Sequence, residues 1–263
     1  MTSATDSHVV WQGVFRSFQE TGCDVARLDD HPAWLKKCEV SARAELECLF
    51  TGKVSPGLFQ PRNMLLPVVV SLLVSSEEPK ILDFGGGLGT SYFILRSMKA
   101  ADARVQVDVI ETSAMCELAG KILPVLPGLR FLAHLPANNE QYDLIHAASS
   151  LHYVDDWRGL LGKFAALRAK YLVLTELTAG PIETFVTTQS YYGHDIPVRF
   201  WSLHEFSDAL RGLGFRPILM MPHLPTIRGV RMGPPMDNFP RELRLDHFLD
   251  LVFVRDRTSA EPI

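Results

Sequence analysis

The stretch ILDFGGGLGTSY, residues 81–92, decides how the rest of this chain is organised. It begins with an apolar run, Ile81 to Phe84, that is broken by one acid, Asp83. Glycines follow at positions 85, 86, 87 and 89, and a helix can begin at Thr90. This order predicts a buried parallel strand, a tight turn and a helix start. Glycine permits positive φ and close approach to the backbone, and a helix start presents free N–H groups to an anion.

The glycine spacing distinguishes two kinds of ligand. A dinucleotide-binding turn has the pattern G-x-G-x-x-G, whereas residues 85–89 follow G-x-G-x-G, with Asp83 two residues ahead. This pattern resembles the first motif of the class I S-adenosylmethionine-dependent methyltransferases. The resemblance implies S-adenosyl-L-methionine as cofactor, with its amino-acid end held by Asp83, Phe84, Gly85, Gly86, Gly87 and Gly89.

A second acid, Glu111, ends the next predicted strand, RVQVDVIE, 22 residues after Gly89. Ligands of open α/β sheets lie over the carboxyl ends of the strands, so Asp83 and Glu111 are expected to face one crevice. The resemblance implies that Glu111 accepts hydrogen bonds from both ribose hydroxyls. The alternative is that Glu111 caps the following helix, which begins near Thr112 or Ser113.

The composition indicates a globular protein, because 47% of the 263 residues are hydrophobic and 21% are charged. The net charge of −4 and the lack of a dense Lys/Arg block give no indication of nucleic acid binding. The first ten residues lack a secretory signal pattern, and the most apolar run, 64–74, is about half the length of a membrane helix. Four cysteines show no zinc spacing. We expect a reduced cytoplasmic protein with a small-molecule substrate, no metal and no membrane insertion, and a homodimer is left open.

The order of predicted elements indicates an N-terminal helical extension, residues 1–78, and a methyltransferase core, residues 79–263. The extension has predicted helices at 8–20, 32–51 and 62–75, and it either roofs the cofactor crevice or is a plain structural addition. In the core, strands are predicted at 80–84, 104–110, 129–133, 142–148 and 170–176, and helices near 90–100, 113–122, 156–168 and 203–213. Two late strands, 215–221 and 247–254, should pair antiparallel. The fold class is α/β, Rossmann-like, with a mostly parallel seven-stranded sheet and an antiparallel last strand.

The segment YDLIHAASSLHYVDDW, residues 142–157, combines a strand with a small, polar exit. In class I methyltransferases this segment borders both cofactor and substrate, which implies a cofactor role for Ala148 and Ser149 and a substrate role for Tyr153. His152 is a candidate general base, because the pKa of an unperturbed imidazole lies near working pH. The alternative is that His152 orients neighbouring backbone through a hydrogen bond.

Residues 177–202 are predicted to form an irregular substrate loop, since long loops in compact domains are commonly binding elements or lids. The loop offers hydrogen-bond groups and aromatic faces that suit a sugar: Thr187, Gln189, Tyr191, Tyr192 and His194. His194 is the alternative base. An ordinary packed loop in which the tyrosines satisfy the backbone is the competing interpretation.

Three segments together, 81–92, 142–157 and 185–215, resemble a bacterial family of small-molecule methyltransferases associated with surface-polysaccharide genes. The resemblance implies methyl transfer to an oxygen or nitrogen atom of a small molecule such as a sugar or nucleotide-sugar precursor. Arg228 and Arg231 are candidates for binding a diphosphate, and residues 133–138 are the expected adenine wall. The competing hypotheses are a nicotinamide-dependent oxidoreductase and a non-catalytic cofactor-binding partner protein.

Overall fold

The computed structural model of the protein describes residues 9–24, 31–53, 58, 60, 63–98, 104–137, 140–227 and 229–256. The strands are β1 (Trp11–Phe15), β2 (Lys80–Phe84), β3 (Gln106–Ile110), β4 (Leu129–Leu132), β5 (Leu144–Ala148), β6 (Tyr171–Leu177), β7 (Ala179–Gly180), β8 (Phe185–Tyr191), β9 (His194–Ser202), β10 (Phe215–His223), β11 (Thr226–Ile227), β12 (Val230–Arg231) and β13 (Phe248–Arg255). The α-helices are α1 (Pro32–Thr51), α2 (Leu65–Leu73), α3 (Thr90–Met98), α4 (Ser113–Ile122), α5 (Trp157–Ala166) and α6 (Leu203–Gly212).

The central sheet contains seven strands in the order β10-β13-β6-β5-β2-β3-β4. The strands β6, β5, β2, β3 and β4 run parallel to one another, and β13 runs antiparallel to both of its neighbours. Side chains such as Ile81, Leu82 and Val107 are completely buried, as expected of parallel strands that are covered on both faces. The predicted fold class, with its antiparallel last strand, is therefore confirmed.

Helices cover the two faces of this sheet with separate apolar clusters. One cluster joins α2 and α3 to the sheet through Leu66, Val70 and Phe93, and the other places the aromatic rings of Trp157 and Phe206, from α5 and α6, over it. Within the described ranges, every helix is too short or too polar to cross a membrane. The two layers hold the carboxyl ends of the parallel strands at one rim, where the predicted site residues lie.

The helix predicted over residues 8–20 is wrong. The described part of this segment contains β1, which pairs antiparallel with β8, so that Trp11 lies opposite Gln189. Trp11 is buried, with its ring edge-on to Phe200 and Phe248 at centroid distances of 5.6 and 5.9 Å. Tertiary pairing and burial of a large ring thus override the helical spacing. The other two helices of the extension are present as α1 and α2.

The irregular loop predicted over residues 177–202 is also wrong. The segment forms β7, β8 and β9, which join β1 in a second sheet of order β1-β8-β9-β7. The strands β8 and β9 form a hairpin in which Tyr191 pairs with His194. Tyr192 and Gly193 between them have φ values of 49° and 82°. Two-residue turns with positive φ at both positions fit the right-handed twist of antiparallel strands, so this segment is a regular hairpin.

Candidate active site

A cavity of about 230 Å³ opens at the carboxyl ends of β2, β5 and β6. Its lower wall is the glycine turn between β2 and α3, and Trp34 and Cys38 of α1 line the opposite wall. A wider groove of about 740 Å³ lies elsewhere, between Gly180, the start of α6 and Met220 of β10. We place the site in the smaller cavity, because ligands of open α/β sheets bind beyond the carboxyl ends of the strands.

The first acid, Asp83, lies directly beneath the glycine turn. It lines the cavity wall but is itself only 2% exposed, and a Cβ atom added to Gly86 would overlap its carboxylate. This carboxylate accepts a hydrogen bond from Ser91 Oγ at the start of α3 and lies 2.8 Å from His146 Nδ1. Since an ionised carboxylate only accepts, Nδ1 of His146 carries the proton of this contact.

The second acid, Glu111, contacts the turn from the β3 side. Its Oε1 accepts a hydrogen bond from the backbone N–H of Gly87 at 2.9 Å, and Oε2 accepts one from the N–H of Thr112 at 3.0 Å. The cap of α4 is Thr112, whose Oγ1 accepts from the N–H of Met115. Both acids therefore converge on the glycine turn, Asp83 below it and Glu111 beside it. Contact of Glu111 with a ribose stays a prediction.

Two buried polar atoms of the cavity wall are unpaired within the described part of the chain: His146 Nε2 and Thr175 Oγ1. Both residues are more than nine-tenths buried. Buried polar groups without a partner are costly and are usually satisfied by a ligand or water. Ala148 and Ser149, which the sequence indicates for the cofactor, line the same wall. Neither His146 nor Thr175 is predicted from the sequence, because both lie inside apolar strands, where the sequence pattern predicts core residues.

A third acid, Glu176, lines the cavity at the end of β6. It is not predicted as a site residue from the sequence. Its Oε1 lies 3.1 Å from His223 Nε2, and Nδ1 of the same ring lies 3.0 Å from Asp250. Burial alone lowers the pKa of His223, but the two carboxylates outweigh that effect and raise it to about 9. His223 is therefore a protonated imidazolium that donates to both acids at neutral pH. The signal that could have identified Glu176 is its place at a strand end, the same as for Asp83 and Glu111.

The candidate base His152 lies near this acid. His152 and Glu176 both line a small hollow beside the cavity. Burial lowers the pKa of His152 to about 4, although the charge of Glu176 acts in the opposite direction. Its imidazole is thus neutral but weakly basic at pH 7. The ring of Tyr153 lies 4.1 Å from that of His152, and the Tyr153 hydroxyl donates to Gln189 Oε1 at 3.0 Å, so the structure brings these two predicted substrate residues together.

The remaining predicted substrate residues lie at the end of the hairpin, against α1. The ring of Tyr191 is 6.1 Å from Trp34, and Tyr192 stacks on His31 at 5.3 Å. His194 is exposed there, 5.4 Å from His31. These residues form an aromatic wall that continues into the cavity at Trp34.

The other predicted site residues lie elsewhere in the structure. Thr187 is completely buried and donates to the Gln12 carbonyl, so it is structural. Arg231 is exposed in β12. Arg228 and Asn138, the last residue of the expected adenine wall, lie outside the described residues. Among the described side chains, no three His, Cys, Asp or Glu residues come together as a metal site requires.

The helix α1 roofs the cavity and is fixed to its floor by Glu45, another residue that the sequence analysis misses. The Glu45 side chain is buried and accepts hydrogen bonds from Ser41 Oγ at 2.9 Å and from Thr90 Oγ1 at 3.0 Å. Thr90 is the first residue of α3, so this carboxylate joins α1 to the helix that follows the glycine turn. Burial, with the charge of Glu111, raises the pKa of Cys38 in the roof to about 12, and its thiol is unreactive.

Comparison with known proteins relates this chain to one enzyme family. A family model described as "Methyltransferase domain" matches residues 59–219. The 1,6-didemethyltoxoflavin-N1-methyltransferase of Burkholderia thailandensis, solved with 1,6-didemethyltoxoflavin and S-adenosylhomocysteine, is 16% identical, with a TM-score of 0.51 over 96% of this chain and 98% of that chain. One chain of the Haloferax volcanii complex between the Trm112 methyltransferase activator and a methyltransferase is 13% identical to this chain. Its TM-score is 0.55 over 89% of this chain and 99% of that chain. At such identities the structural likeness concerns the fold alone. Among curated proteins, no sequence matches this chain significantly.

Proposed function

Because this chain belongs to the methyltransferase-domain family, we propose that it transfers the methyl group of S-adenosyl-L-methionine to an oxygen or nitrogen atom of a small molecule. The observation that carries the proposal is the convergence of Asp83 and Glu111 on one glycine turn at the rim of the sheet. The G-x-G-x-G spacing of this turn, with Thr90 beginning α3 directly after it, favours this cofactor over a nicotinamide dinucleotide.

The residues around the turn fit such a cofactor. A Cβ atom added to Gly87 would meet nothing within 4 Å, so this backbone faces open space. In the proposal Gly85, Gly87 and Ser149 hold the amino-acid end, and Glu111 holds the ribose. When bound, the cofactor supplies a methyl group activated by a sulfonium. The contribution of the protein is orientation of the two reactants, which can lower a barrier by about 7 to 11 kcal/mol.

The acceptor that we propose is a sugar or nucleotide-sugar precursor. Trp34 lines the cavity and lies beside the rings of Tyr191 and Tyr192, and the Tyr153–Gln189 pair of the same region supplies a hydroxyl and an amide. Aromatic rings pack on the apolar face of a sugar ring, while hydroxyl and amide groups bond its hydroxyls. The resemblance to methyltransferases associated with surface-polysaccharide genes supports the same acceptor class.

Isothermal titration calorimetry with S-adenosylhomocysteine, the product form of the cofactor, tests the proposal. We expect saturable binding with a one-to-one stoichiometry, and no binding of NADH under the same conditions. Absence of S-adenosylhomocysteine binding at millimolar ligand would remove the basis of the proposal. Transfer of a radiolabelled methyl group to members of a panel of sugars, nucleotide sugars and amines then identifies the acceptor. A protein that binds the cofactor but methylates no member of the panel would instead support the non-catalytic alternative.

A further inference from the structure

Three buried or half-buried charged groups, Asp250, His223 and Glu176, form a row that ends at the cavity. They come from β13, β10 and the end of β6. His223 is 4% exposed and Asp250 is 5% exposed, whereas Glu176 is partly open to the cavity. Burial of such an ionic network has an unfavourable desolvation free energy. Because the network lies next to a ligand cavity, we infer that it serves a function there.

The row fixes both the side chain and the backbone of Glu176. Asp250 Oδ1 accepts the backbone N–H of Glu176 at 2.9 Å, and its Oδ2 contacts the imidazolium that holds the Glu176 carboxylate. Glu176 itself has a φ of 55°, in the left-handed region that a non-glycine residue rarely adopts. These contacts therefore hold both the strained backbone of Glu176 and its carboxylate.

The order of the strands gives the place of Glu176 relative to the cofactor. Along the rim, Glu111 follows β3, the glycine turn follows β2, Ser149 follows β5 and Glu176 lies at the end of β6. If Glu111 binds the ribose, the adenosyl group occupies one end of this row, and Glu176 lies at the other end, beyond the amino-acid site. That end also borders the small hollow that His152 lines.

The charged residues that line the cavity limit which reacting groups an acceptor can place there. Among the described residues that line the cavity, Asp83 and Glu176 are carboxylates, and Lys37 at the mouth is an ammonium. Asp83 is engaged below the turn by Ser91 and His146. A carboxylate at the acceptor end repels an anionic reacting group and favours one that donates a hydrogen bond.

We propose that Glu176 binds the reacting group of the methyl acceptor, an uncharged hydroxyl or amine, and that His223 and Asp250 are the residues that position it. This inference rests on the function proposed above. In the transfer, a lone pair of the acceptor forms the bond to the methyl carbon, and the pair of the carbon–sulfur bond stays with sulfur. The proton of the acceptor passes to a Glu176 oxygen and then to solvent. The charge of Glu176 disfavours a carboxylate or phosphate as the reacting group.

The test compares two cofactor analogues that differ in charge at the place of the transferred methyl group. S-adenosylhomocysteine carries a neutral thioether, whereas sinefungin carries an ammonium in place of the methylsulfonium. If Glu176 faces that place, wild-type protein binds sinefungin more tightly than S-adenosylhomocysteine. The ratio of the dissociation constant of S-adenosylhomocysteine to that of sinefungin should then fall by about tenfold or more in Glu176→Gln. Calorimetry measures both dissociation constants. The constant for S-adenosylhomocysteine should change by a smaller factor than the constant for sinefungin.

Controls separate this inference from the cofactor proposal and from misfolding. Glu117→Gln, on the exposed face of α4, should leave both constants unchanged. His223→Gln keeps the Glu176 carboxylate but removes both its support and its positive neighbour, so it should change the ratio of the two constants. This variant decides the question if circular dichroism shows that Glu176→Gln is unfolded. An unchanged ratio in a folded Glu176→Gln or, in its absence, in His223→Gln overturns the inference. Failure of wild-type protein to bind S-adenosylhomocysteine overturns the proposed function instead.

Discussion

At the residue scale, the chemistry of the site depends on how each carboxylate is held. The oxygens of Glu111 accept one N–H from the glycine turn and one from the start of α4. Asp83 is held by a hydroxyl and an imidazole, and Glu176 by an imidazolium. Each acid is therefore oriented by protein groups before a ligand arrives, which reduces the entropy that binding must overcome.

Replacement of Glu111 by Gln tests the ribose contact. The amide oxygen can still accept the N–H of Gly87, so the turn keeps its support, but the charge that strengthens hydrogen bonds from two hydroxyls is lost. We expect the dissociation constant of S-adenosylhomocysteine to rise by about tenfold or more. Calorimetry measures the change, with Glu117→Gln as the control on an exposed surface. Equal affinities in wild type and Glu111→Gln would show that the ribose lies elsewhere.

The protonation of His223 predicts how stability depends on pH. The ordinary pKa of 6.5 is raised to about 9 in the folded protein, where burial opposes and two carboxylates favour the charged ring. The stabilisation is complete below the unfolded pKa and is lost as pH rises through the folded pKa. We expect the free energy of unfolding in urea to fall between about pH 7 and about pH 10. The variant His223→Gln should show a smaller decrease, and parallel curves would contradict the charge assignment.

At the scale of elements, two contacts join the N-terminal segment to the core. The helix α1 is tied to α3 through Glu45 and Thr90, and β1 extends the sheet of the hairpin by pairing with β8. The pairing of β1 places Trp11 opposite Gln189, a predicted substrate residue of β8. The helix α1 carries Trp34, which lines the cavity and lies beside Tyr191. Part of the N-terminal segment therefore lines the candidate site.

Removal of the Glu45 carboxylate should weaken the attachment of α1. In Glu45→Ala the hydroxyls of Ser41 and Thr90 lose a charged acceptor, which should lower the free energy of unfolding by about 1 to 3 kcal/mol. Urea denaturation measures the loss. Glu47→Ala, on the exposed side of the same helix, should change stability by less than about 0.5 kcal/mol. Similar effects of the two substitutions would mean that the contact with α3 contributes little.

Truncation of Trp11 tests the role of β1. Its buried ring packs against Phe200 and Phe248, so Trp11→Ala should lower the free energy of unfolding by about 3 to 5 kcal/mol. Val14 lies on the same strand but is 48% exposed, and Val14→Ala should have a much smaller effect. A Trp11→Ala protein as stable as wild type would indicate that β1 is not a structural part of the hairpin sheet.

At the scale of the whole molecule, the central sheet was predictable from sequence and the second sheet was not. Buried parallel strands need continuous apolar runs, and acids at their ends, such as Asp83 and Glu111, are conspicuous against them. The hairpin of β8 and β9 is harder to predict, because Pro197 lies within a strand and a tyrosine occupies a turn position that usually requires Asn, Asp or Gly.

The network at the acceptor end could not be derived from local patterns. Glu176 is separated by 47 residues from His223 and by 74 residues from Asp250. No spacing rule relates such positions, and only the order of β6, β13 and β10 in the sheet brings them together. The glycine turn of the proposed cofactor site is continuous in the sequence, whereas the proposed acceptor end arises from tertiary pairing alone.

A crystal structure of the protein with S-adenosylhomocysteine tests the central claim most directly. We expect the amino-acid end of the ligand against the glycine turn, the ribose hydroxyls within hydrogen-bond distance of Glu111, and the sulfur atom turned towards Glu176. Ligand bound in the groove between α6 and β10, or a ribose directed away from Glu111, would contradict it.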